Sequence, residues 1–225
     1  MRLYLNSDVG ERPEALRDGS EEELLRLLDW ANIACGGHAG DDDSMARVIG
    51  LCRKHGVEVG AHPGYPDRAR FGREALDLPP EAVSRFVFEQ VRALDAIARA
   101  QGLPVHHVKP HGALYNQAAV DPAVAHAIAD AVRCWKPEAV LVGLAGSNML
   151  RVWQERGFAV APEIFADRRY EPDGTLRPRR FPDAVITDPA EAAEQVLRAA
   201  GAATVCVHGD TPNAVAIAEA VRRVL

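Results

Sequence analysis

Short apolar runs alternate with longer segments of helical periodicity along the whole chain. Apolar runs of about four to eight residues, bounded by turn residues, are typical of buried strands. Such runs predict seven strands, at residues 2–7, 31–35, 57–61, 105–110, 139–144, 158–165 and 204–209. Because a helical segment follows each run, the sheet is expected to be mainly parallel, with right-handed crossovers.

Several of the intervening helices have recognisable ends. Ser20 and Glu23 have the spacing of a capping box, in which each side chain bonds to the other residue's free backbone N–H. Another helix is predicted to start near Asp43, with Asp42 or Asp43 as its cap, and to stop at Gly56, which adopts a left-handed conformation at low cost. Further helices are predicted over about 78–102 and after Pro122, Ser147, Pro189 and Pro212.

Seven strand and helix units can close into a barrel or form an open doubly wound sheet. The positions of the polar residues favour the barrel, because reactive groups in a barrel lie where strands end and the loops to the following helices begin. The strand ends carry Asn6, Ser7, Asp8 and Glu11; Asn32, His38, Asp41 and Asp42; His62 and Asp67; Lys109, His111, Tyr115 and Asn116; Ser147 and Asn148; Glu163, Asp167 and Arg168; and His208, Asp210 and Thr211. The chain is therefore predicted to be a single α/β domain over 1–225, a TIM-like (β/α)7 barrel with an inserted hairpin near 168–181.

Composition narrows the expected partners. The 225 residues are 48% apolar and 26% charged, which is typical of a globular protein, and the net charge is −6. The only basic cluster is at 177–180, so nucleic acid is not an expected partner. No run approaches the roughly 20 apolar residues needed to cross a bilayer, and the four cysteines form no C-x-x-C pair. A cytoplasmic protein is expected.

The candidate residues also have structural interpretations. Asp8 can hydrogen-bond the loop that follows it, and His62, His111 and His208 can be buried histidines bonded to backbone carbonyls. Three equivalent placements at strand ends favour a functional role, and a helix cap does not need the imidazole of His38. By contrast, surface or packing roles are expected for His55, His106, His107 and His126.

Several familiar catalytic motifs are missing from the sequence. It contains neither G-x-x-x-x-G-K-[ST] nor a G-x-G-x-x-G that opens a helix, so no common phosphate-binding loop is predicted. Neither G-x-S-x-G nor H-E-x-x-H occurs, which argues against the usual serine hydrolases and zincins. The remaining His, Asp, Glu and Lys residues suit general acid and base catalysis, or a divalent metal held through nitrogen and oxygen.

Seven segments resemble the LamB/YcsF family, whose members form one component of the bacterial 5-oxoprolinase. They match it in order and spacing: LNSDVGE, NIACGGHAGDDDSM, GAHPGYPDRARFGRE, HHVKPHGALYNQAAVD, LVGLAGS, EIFADRRYEPDGTLRPR and TVCVHGDTPNAV. Two features depart from the family pattern. Gly37 replaces a bulkier apolar residue and is expected to reshape the pocket wall, and the segment 181–203 is shorter than usual.

The resemblance implies ATP-dependent opening of the 5-oxoproline (pyroglutamate) ring to L-glutamate, on a barrel related to glycoside hydrolases and deacetylases. It also implies B and C subunits as partners, on which much of the ATP chemistry is expected; a second copy of the chain is a further option. The candidate catalytic residues are Asp8, His62, Lys109, His111, His208 and Asp210. The candidate substrate-binding residues are Asn6, Asn32, Tyr115, Asn116, Glu163, Asp167 and Arg168.

Within this hypothesis Asp8, His62 or His111 serves as the base for water, and the remaining histidine and Lys109 stabilise the oxyanion. Arg168 pairs with the substrate carboxylate. Two alternatives stay open. One is a metal-dependent amide or acetyl hydrolase that acts alone, with Asp8, His38 and His62 as metal ligands and open positions for water. The other is a protein that binds substrate for its partners without catalysing its conversion.

Overall fold

Seven parallel strands form a closed barrel. A computed structural model of the protein describes residues 3–198 and 201–225. Its strands are β1 Tyr4–Val9, β2 Trp30–Ala34, β3 Glu58–His62, β4 Val105–Val108, β5 Val140–Leu144, β6 Val160–Phe165 and β7 Thr204–Cys206. Each strand pairs with the next in sequence, and β7 pairs with β1 to close the ring. The predicted seven-stranded barrel is confirmed, and the open doubly wound alternative is wrong.

Nine α-helices surround the barrel within the described residues. They are α1 Pro13–Asp18, α2 Ser20–Leu25, α3 Asp42–His55, α4 Pro80–Ala100, α5 Gly112–Val120, α6 Pro122–Trp135, α7 Asn148–Glu155, α8 Pro189–Arg198 and α9 Ala214–Arg222. The longest helix, α4, buries Val83, Val87, Val91 and Leu94 along one face, as helical spacing predicts. Each such side chain contributes about 1.5–3 kcal/mol when it is fully removed from water. Within the described ranges, none of the helices is long and apolar enough to span a membrane.

Helix caps differ from the sequence expectations at two places. Gly19, with φ 87°, precedes α2, and the Ser20 hydroxyl donates to Asp18 at 2.7 Å, so the predicted capping box at Ser20 is wrong. The cap of α3 is Asp41, one residue before the predicted pair, and its side chain accepts from the Ser44 N–H at 2.8 Å. Ser44 closes this box because its hydroxyl accepts in turn from the Asp41 N–H at 2.8 Å.

Two strand boundaries decide where the polar residues lie. The first strand continues to Val9, two residues beyond the prediction, and the predicted start at Arg2 lies outside the described residues. The fourth strand ends at Val108, so Lys109 begins the loop that leads to α5. The sequence pattern did not predict α1 or α5 as separate helices. Helix α5 carries buried residues around much of its circumference, which hides an amphipathic period.

The interior of the barrel is polar above an aromatic base. Trp30 stacks on Tyr4 and on the imidazole of His107, with ring centroids 4.9 Å apart in each pair. His107 is fully buried and bonds to Asn32 Oδ1 at 2.8 Å, so it supports the floor of the interior. Its ring fills the space beside Gly60, where an added Cβ would lie 2.0 Å from His107 Nε2. Glycine at this position is therefore required by the close approach of the ring.

Glu21 on α2 is a buried carboxyl group whose ionisation opposes folding. It is 5% exposed and accepts a hydrogen bond from the Gly10 N–H at 3.0 Å. Burial raises the pKa of Glu21 from 4.5 to about 7. Because the folded-state pKa is the higher one, the stabilisation is complete below pH 4.5 and is lost as the pH rises through 7.

We expect Glu21→Gln to remove this loss, because the neutral amide keeps an oxygen for the Gly10 N–H. The variant should gain about 3 kcal/mol in unfolding free energy over the parent above pH 7 and little below pH 4.5. Urea denaturation between pH 4 and pH 8 measures the difference, with the exposed Glu23→Gln on the same helix as control. Parallel pH profiles for the parent and Glu21→Gln would contradict the assignment.

Candidate active site

The carboxyl ends of the strands open into one cavity of about 360 Å³. This volume lies toward the small end of ligand pockets, which occupy about 300–1,000 Å³. The predicted residues that line it are Asp8, His62, Lys109, His111, Tyr115, Asn116, Arg168 and His208. The other predicted residues surround the cavity. Asn6, Asn32 and Glu163 lie beneath its floor, and Asp210 lies beside two arginines at its rim. Asp167 lies behind His208, and His38 lies behind Glu11.

The floor of the cavity holds a buried lysine between two carboxylates. Lys109 is 2% exposed, and its Nζ lies 2.9 Å from Asp8 Oδ1 and 3.0 Å from Glu163 Oε1. Burial opposes the charge, but attraction to the carboxylates outweighs it and holds the pKa of Lys109 well above its ordinary value. Asp8 is likewise buried, yet the Lys109 ammonium helps to keep its pKa well below the ordinary value. This arrangement keeps the ion pair charged inside the protein.

Neutral side chains fix the two carboxylates of the floor. Asn32 Nδ2 donates to Asp8 Oδ1 and to Asn6 Oδ1, both at 2.8 Å. Asn6 Nδ2 donates to Glu163 Oε1 at 2.9 Å, and the Tyr115 hydroxyl donates to Glu163 Oε2 at 2.9 Å. Asn6, Asn32 and Glu163 are fully buried, so in this structure they orient the charged groups from below. Of these three neutral side chains, Tyr115 also lines the cavity.

Backbone carbonyls determine how two histidines of the wall are oriented. His62 Nδ1 lies 2.8 Å from the Lys109 carbonyl, and His111 Nε2 lies 2.9 Å from the Phe71 carbonyl. A carbonyl only accepts, so each of these nitrogens carries the proton. The opposite nitrogens, His62 Nε2 and His111 Nδ1, then present lone pairs, and they lie 3.0 Å apart. Burial lowers the pKa of His111, which keeps its imidazole neutral.

Glu11 lies at the centre of the histidines, although the sequence analysis placed it only among the strand-end residues. Its Oε1 is 2.9 Å from His38 Nε2, 3.2 Å from His111 Nδ1 and 3.7 Å from His62 Nε2. Burial opposes its ionisation, but the hydrogen bond from His38 helps to hold the pKa of Glu11 well below its ordinary value. The signal for this residue is its position two residues after β1 and three residues after Asp8.

His38 lies behind this group and packs closely. Its ring stacks on His111 with centroids 3.5 Å apart and an interplanar angle of 3°. Burial lowers the pKa of His38 to about 3, so the ring is neutral at physiological pH. Gly72, with φ 60°, covers both rings, and an added Cβ there would lie 2.8 Å from the His38 Cβ. A larger residue at this position would displace the histidines.

His208 forms a separate pair with Asp167 on the opposite wall. Asp167 is fully buried and accepts a hydrogen bond from the backbone N–H of His208 at 2.9 Å. Its Oδ1 lies 3.0 Å from the ring nitrogen Nδ1 of His208. The Thr211 hydroxyl also donates to this carboxylate. The His208 ring stacks on Phe165 with centroids 5.2 Å apart. Because Asp167 accepts the Nδ1 proton, the imidazole is oriented for proton exchange through its other nitrogen.

Arginines surround the outer part of the cavity. Asp210 lies 2.5 Å from Arg73 and 3.3 Å from Arg179, so this predicted catalytic residue forms ion pairs at the rim. Arg168 is 6% exposed and donates to the carbonyls of Arg177 at 2.6 Å and Ala184 at 3.4 Å. Across residues 3–198 and 201–225, no carboxylate oxygen lies within 4.0 Å of its guanidinium. Burial lowers the pKa of Arg168 to about 10, so it remains cationic.

Gly37 has a different role from the one expected. An added Cβ would lie 2.4 Å from Gln90 Oε1 and 2.6 Å from the Gly64 carbonyl. Gln90 is held in that place because it bonds to both the N–H and the carbonyl of Gly64. Gly37 therefore packs against α4 behind the His38 loop, and the expectation that it shapes the cavity wall is wrong.

The fold and the site together define a (β/α)-barrel protein whose acid and base groups gather at the carboxyl ends of its strands. A family 4 carbohydrate esterase from Streptomyces lividans shares this fold, with a TM-score of 0.51 and 14% identity over 99% of this chain and 86% of that one. The model of the LamB/YcsF family matches residues 3–225. The chain belongs to the LamB/YcsF family, which confirms the resemblance seen in its motifs.

Individual relatives match nearly the whole chain. The A-type subunit of 5-oxoprolinase from Chloroflexus aggregans is 48% identical, covering 99% of this chain and 94% of that protein. The protein of the same name from Pyrococcus abyssi is 43% identical, with coverages of 100% and 94%. The crystal structure of the lactam utilization protein from Thermus thermophilus superimposes with a TM-score of 0.89 at 41% identity, covering 100% of this chain and 96% of that one.

The buried ion pairs of Lys109 predict a large stability cost for its removal. Lys109→Met would leave Asp8 and Glu163 as buried carboxylates without a cation, a change that costs about 3–5 kcal/mol. Lys54→Met is the matched control, since Lys54 is exposed and pairs with Glu22 at the surface, where a pair contributes less than about 1 kcal/mol. Denaturant unfolding at pH 7 measures both variants, and equal midpoints would contradict the role assigned to Lys109.

Proposed function

We propose that the chain is the A-type subunit of an ATP-dependent 5-oxoprolinase. Its cavity would bind 5-oxo-L-proline and open the ring to L-glutamate, together with B and C subunits. The names of the relatives support the substrate and the existence of partner subunits. The observation in the site that carries the proposal is Arg168, a buried cation in the cavity wall that lacks a carboxylate partner among the described residues. The carboxylate of 5-oxoproline would supply that partner.

The chemistry explains why ATP is needed. Amide resonance makes the lactam carbonyl a poor electrophile, and a five-membered ring adds little strain. In the proposed reaction, ATP transfers its γ-phosphoryl group to the lactam oxygen and ADP leaves. Water then adds to the activated carbon, and the ring C–N bond breaks as the nitrogen takes a proton. Hydrolysis of the acyl phosphate that results gives L-glutamate and phosphate. Since the sequence has no common phosphate-binding loop, nucleotide binding is assigned mainly to the partners.

The residues around the cavity divide these tasks. His208, oriented by Asp167, exchanges protons with the attacking water and the leaving nitrogen. Lys109 provides a fixed positive charge for the oxygen that becomes negative during the addition. Asp8 remains ionised and holds Lys109 in place, so its main role is electrostatic. Arg168 orients the substrate through its carboxylate, which an arginine can bind with two parallel hydrogen bonds.

Reconstitution tests the function directly. Glutamate release from 5-oxoproline is measured with this chain alone, with candidate B and C subunits, and with ATP omitted from each mixture. We expect glutamate only when all three subunits and ATP are present. Glutamate formation without ATP would instead support a hydrolase that acts alone. An ATP-dependent reaction that proceeds equally well without this chain would also overturn the proposal.

A change at Arg168 tests how the substrate is held. Arg168→Met should raise KM for 5-oxoproline by about 10- to 100-fold in the reconstituted enzyme, because hydrogen bonds to a charged group contribute about 1.5–3 kcal/mol. The adjacent Arg169→Met is the matched control, since Arg169 pairs with Glu191 at the surface. Circular dichroism checks that both variants are folded. Equal KM values for the two folded variants would exclude Arg168 as the carboxylate ligand.

A further inference from the structure

Three side chains in the cavity wall direct only acceptor atoms toward one point. The carbonyls of Lys109 and Phe71 take the ring protons of His62 and His111, so His62 Nε2 and His111 Nδ1 present lone pairs to each other at 3.0 Å. Glu11 Oε1 faces the same point, 3.2 Å from His111 Nδ1 and 3.7 Å from His62 Nε2. Lone pairs and a carboxylate at these separations repel one another unless a cation lies between them.

We propose that Glu11, His62 and His111 bind a divalent metal ion of the zinc type, and that His38 is a positioning residue for Glu11. Of the ligands expected from the sequence, this set keeps His62 and replaces Asp8 and His38. It is defined by the fold alone and does not depend on which substrate occupies the cavity.

The spacing of the three atoms fits such an ion. In a tetrahedral zinc site the metal lies about 2.0–2.1 Å from each nitrogen or oxygen ligand, which places the ligand atoms about 3.3–3.4 Å from one another. The separations in the structure, 3.0, 3.2 and 3.7 Å, bracket that value. Two histidines and one glutamate form a recurrent zinc ligand set that leaves a further position open. Glu11, His62 and His111 all line the cavity, so the open position faces it.

The surroundings of the histidines match those of metal ligands. A ligating histidine usually donates its other ring N–H to a carbonyl or carboxylate, which fixes the tautomer and the direction of the lone pair. His62 and His111 both do so through backbone carbonyls, one in the loop between β4 and α5 and the other in the loop after β3. The negative charge of Glu11 also fits a cation site, because Glu11 has no lysine or arginine partner in the described part of the chain.

His38 is excluded as a ligand by its geometry, and Asp8 is excluded by its ion pair with Lys109. The His38 ring is stacked parallel to that of His111, so its lone pairs run beside those of His111 and do not converge with them. His38 Nδ1 is buried without a partner among the described residues, which is consistent with a proton on Nε2 that is donated to Glu11. Asp8 Oδ2 lies 3.3 Å from His62 Nε2, but Asp8 Oδ1 accepts from Lys109 and Asn32, and Lys109 neutralises the charge of this carboxylate.

Metal binding is tested on the full chain without any assay of ring opening. The protein is stripped with a chelator and titrated with Zn²⁺ by calorimetry and with Co²⁺ by visible absorption. We expect one ion per chain, and a Co²⁺ spectrum with the intensity of a four- or five-coordinate site. Failure to bind either ion would overturn the proposal, in which case a proton shared by the two imidazoles fills the gap. This result is independent of the reconstitution assay.

Variants identify the ligands. Glu11→Gln and His111→Ala should each weaken Zn²⁺ binding by at least about 100-fold, whereas His126→Ala on α6, which bonds to Arg156 at the surface, should leave it unchanged. Circular dichroism verifies folding, and Glu11→Gln, which keeps the shape of the side chain, provides the decisive comparison if His111→Ala is unstable. Unchanged affinity in a folded Glu11→Gln protein would reject the ligand set.

Substitutions of His38 distinguish a supporting role for this residue from direct metal binding. His38→Ala should weaken Zn²⁺ binding by about 10- to 100-fold, as the loss of a supporting hydrogen bond does at other metal sites. His38→Gln can still donate to Glu11 and should restore much of the affinity with an unchanged Co²⁺ spectrum. A spectrum that shifts in His38→Gln, as it would if a ligand had been replaced, would show that His38 binds the metal directly.

Discussion

The ion pairs of Lys109 with Asp8 and Glu163 connect three strands across the inside of the barrel. Asp8 is on β1, Glu163 is on β6, and Lys109 follows β4 directly. Layers of branched apolar side chains fill the interior of the common eight-stranded barrel. Here a charged network takes that space, and each of its members is stable only because the others are present. The depth of the cavity depends on this replacement of apolar side chains by charged ones, since an apolar layer at the same level would close the cavity.

The site is assembled from groups that belong to different walls. One wall carries the histidines and Glu11, the opposite wall carries His208 with Asp167, and Arg168 comes from the hairpin beyond β6. These three groups therefore come from the ends of different strands. Each group is held by backbone or buried side-chain partners, so these side chains are positioned before a substrate binds. Such preorganisation is what allows charged groups to act on a substrate without first losing a shell of water.

The architecture could be predicted well from the sequence, because short apolar runs and segments of helical periodicity alternate along the whole chain. The parallel direction of the strands alone placed Asp8, His62 and Lys109 at the same end of the barrel. The details of the site could not be obtained in this way. Glu11 precedes Pro13 and α1, where an acidic residue is expected for purely local reasons, and only the folded loop turns it toward the histidines. Likewise, the tautomer of His111 depends on the Phe71 carbonyl, forty positions away.

The junction of β3 and β4 links the two halves of the site. Val59 pairs with Val105 but Gly60 pairs with His107, so His106 forms a bulge. The bulge determines which face of the strand each following residue occupies. After it, His107 and Lys109 share the inward face, and His111 lies beyond Pro110. Because alternate residues of a strand face opposite sides, a one-residue shift of β4 against β3 after the bulge would turn this series outward. Such a shift at this junction would thus disconnect the floor and the histidine wall together, which makes the strand register here as restrictive as side-chain identity.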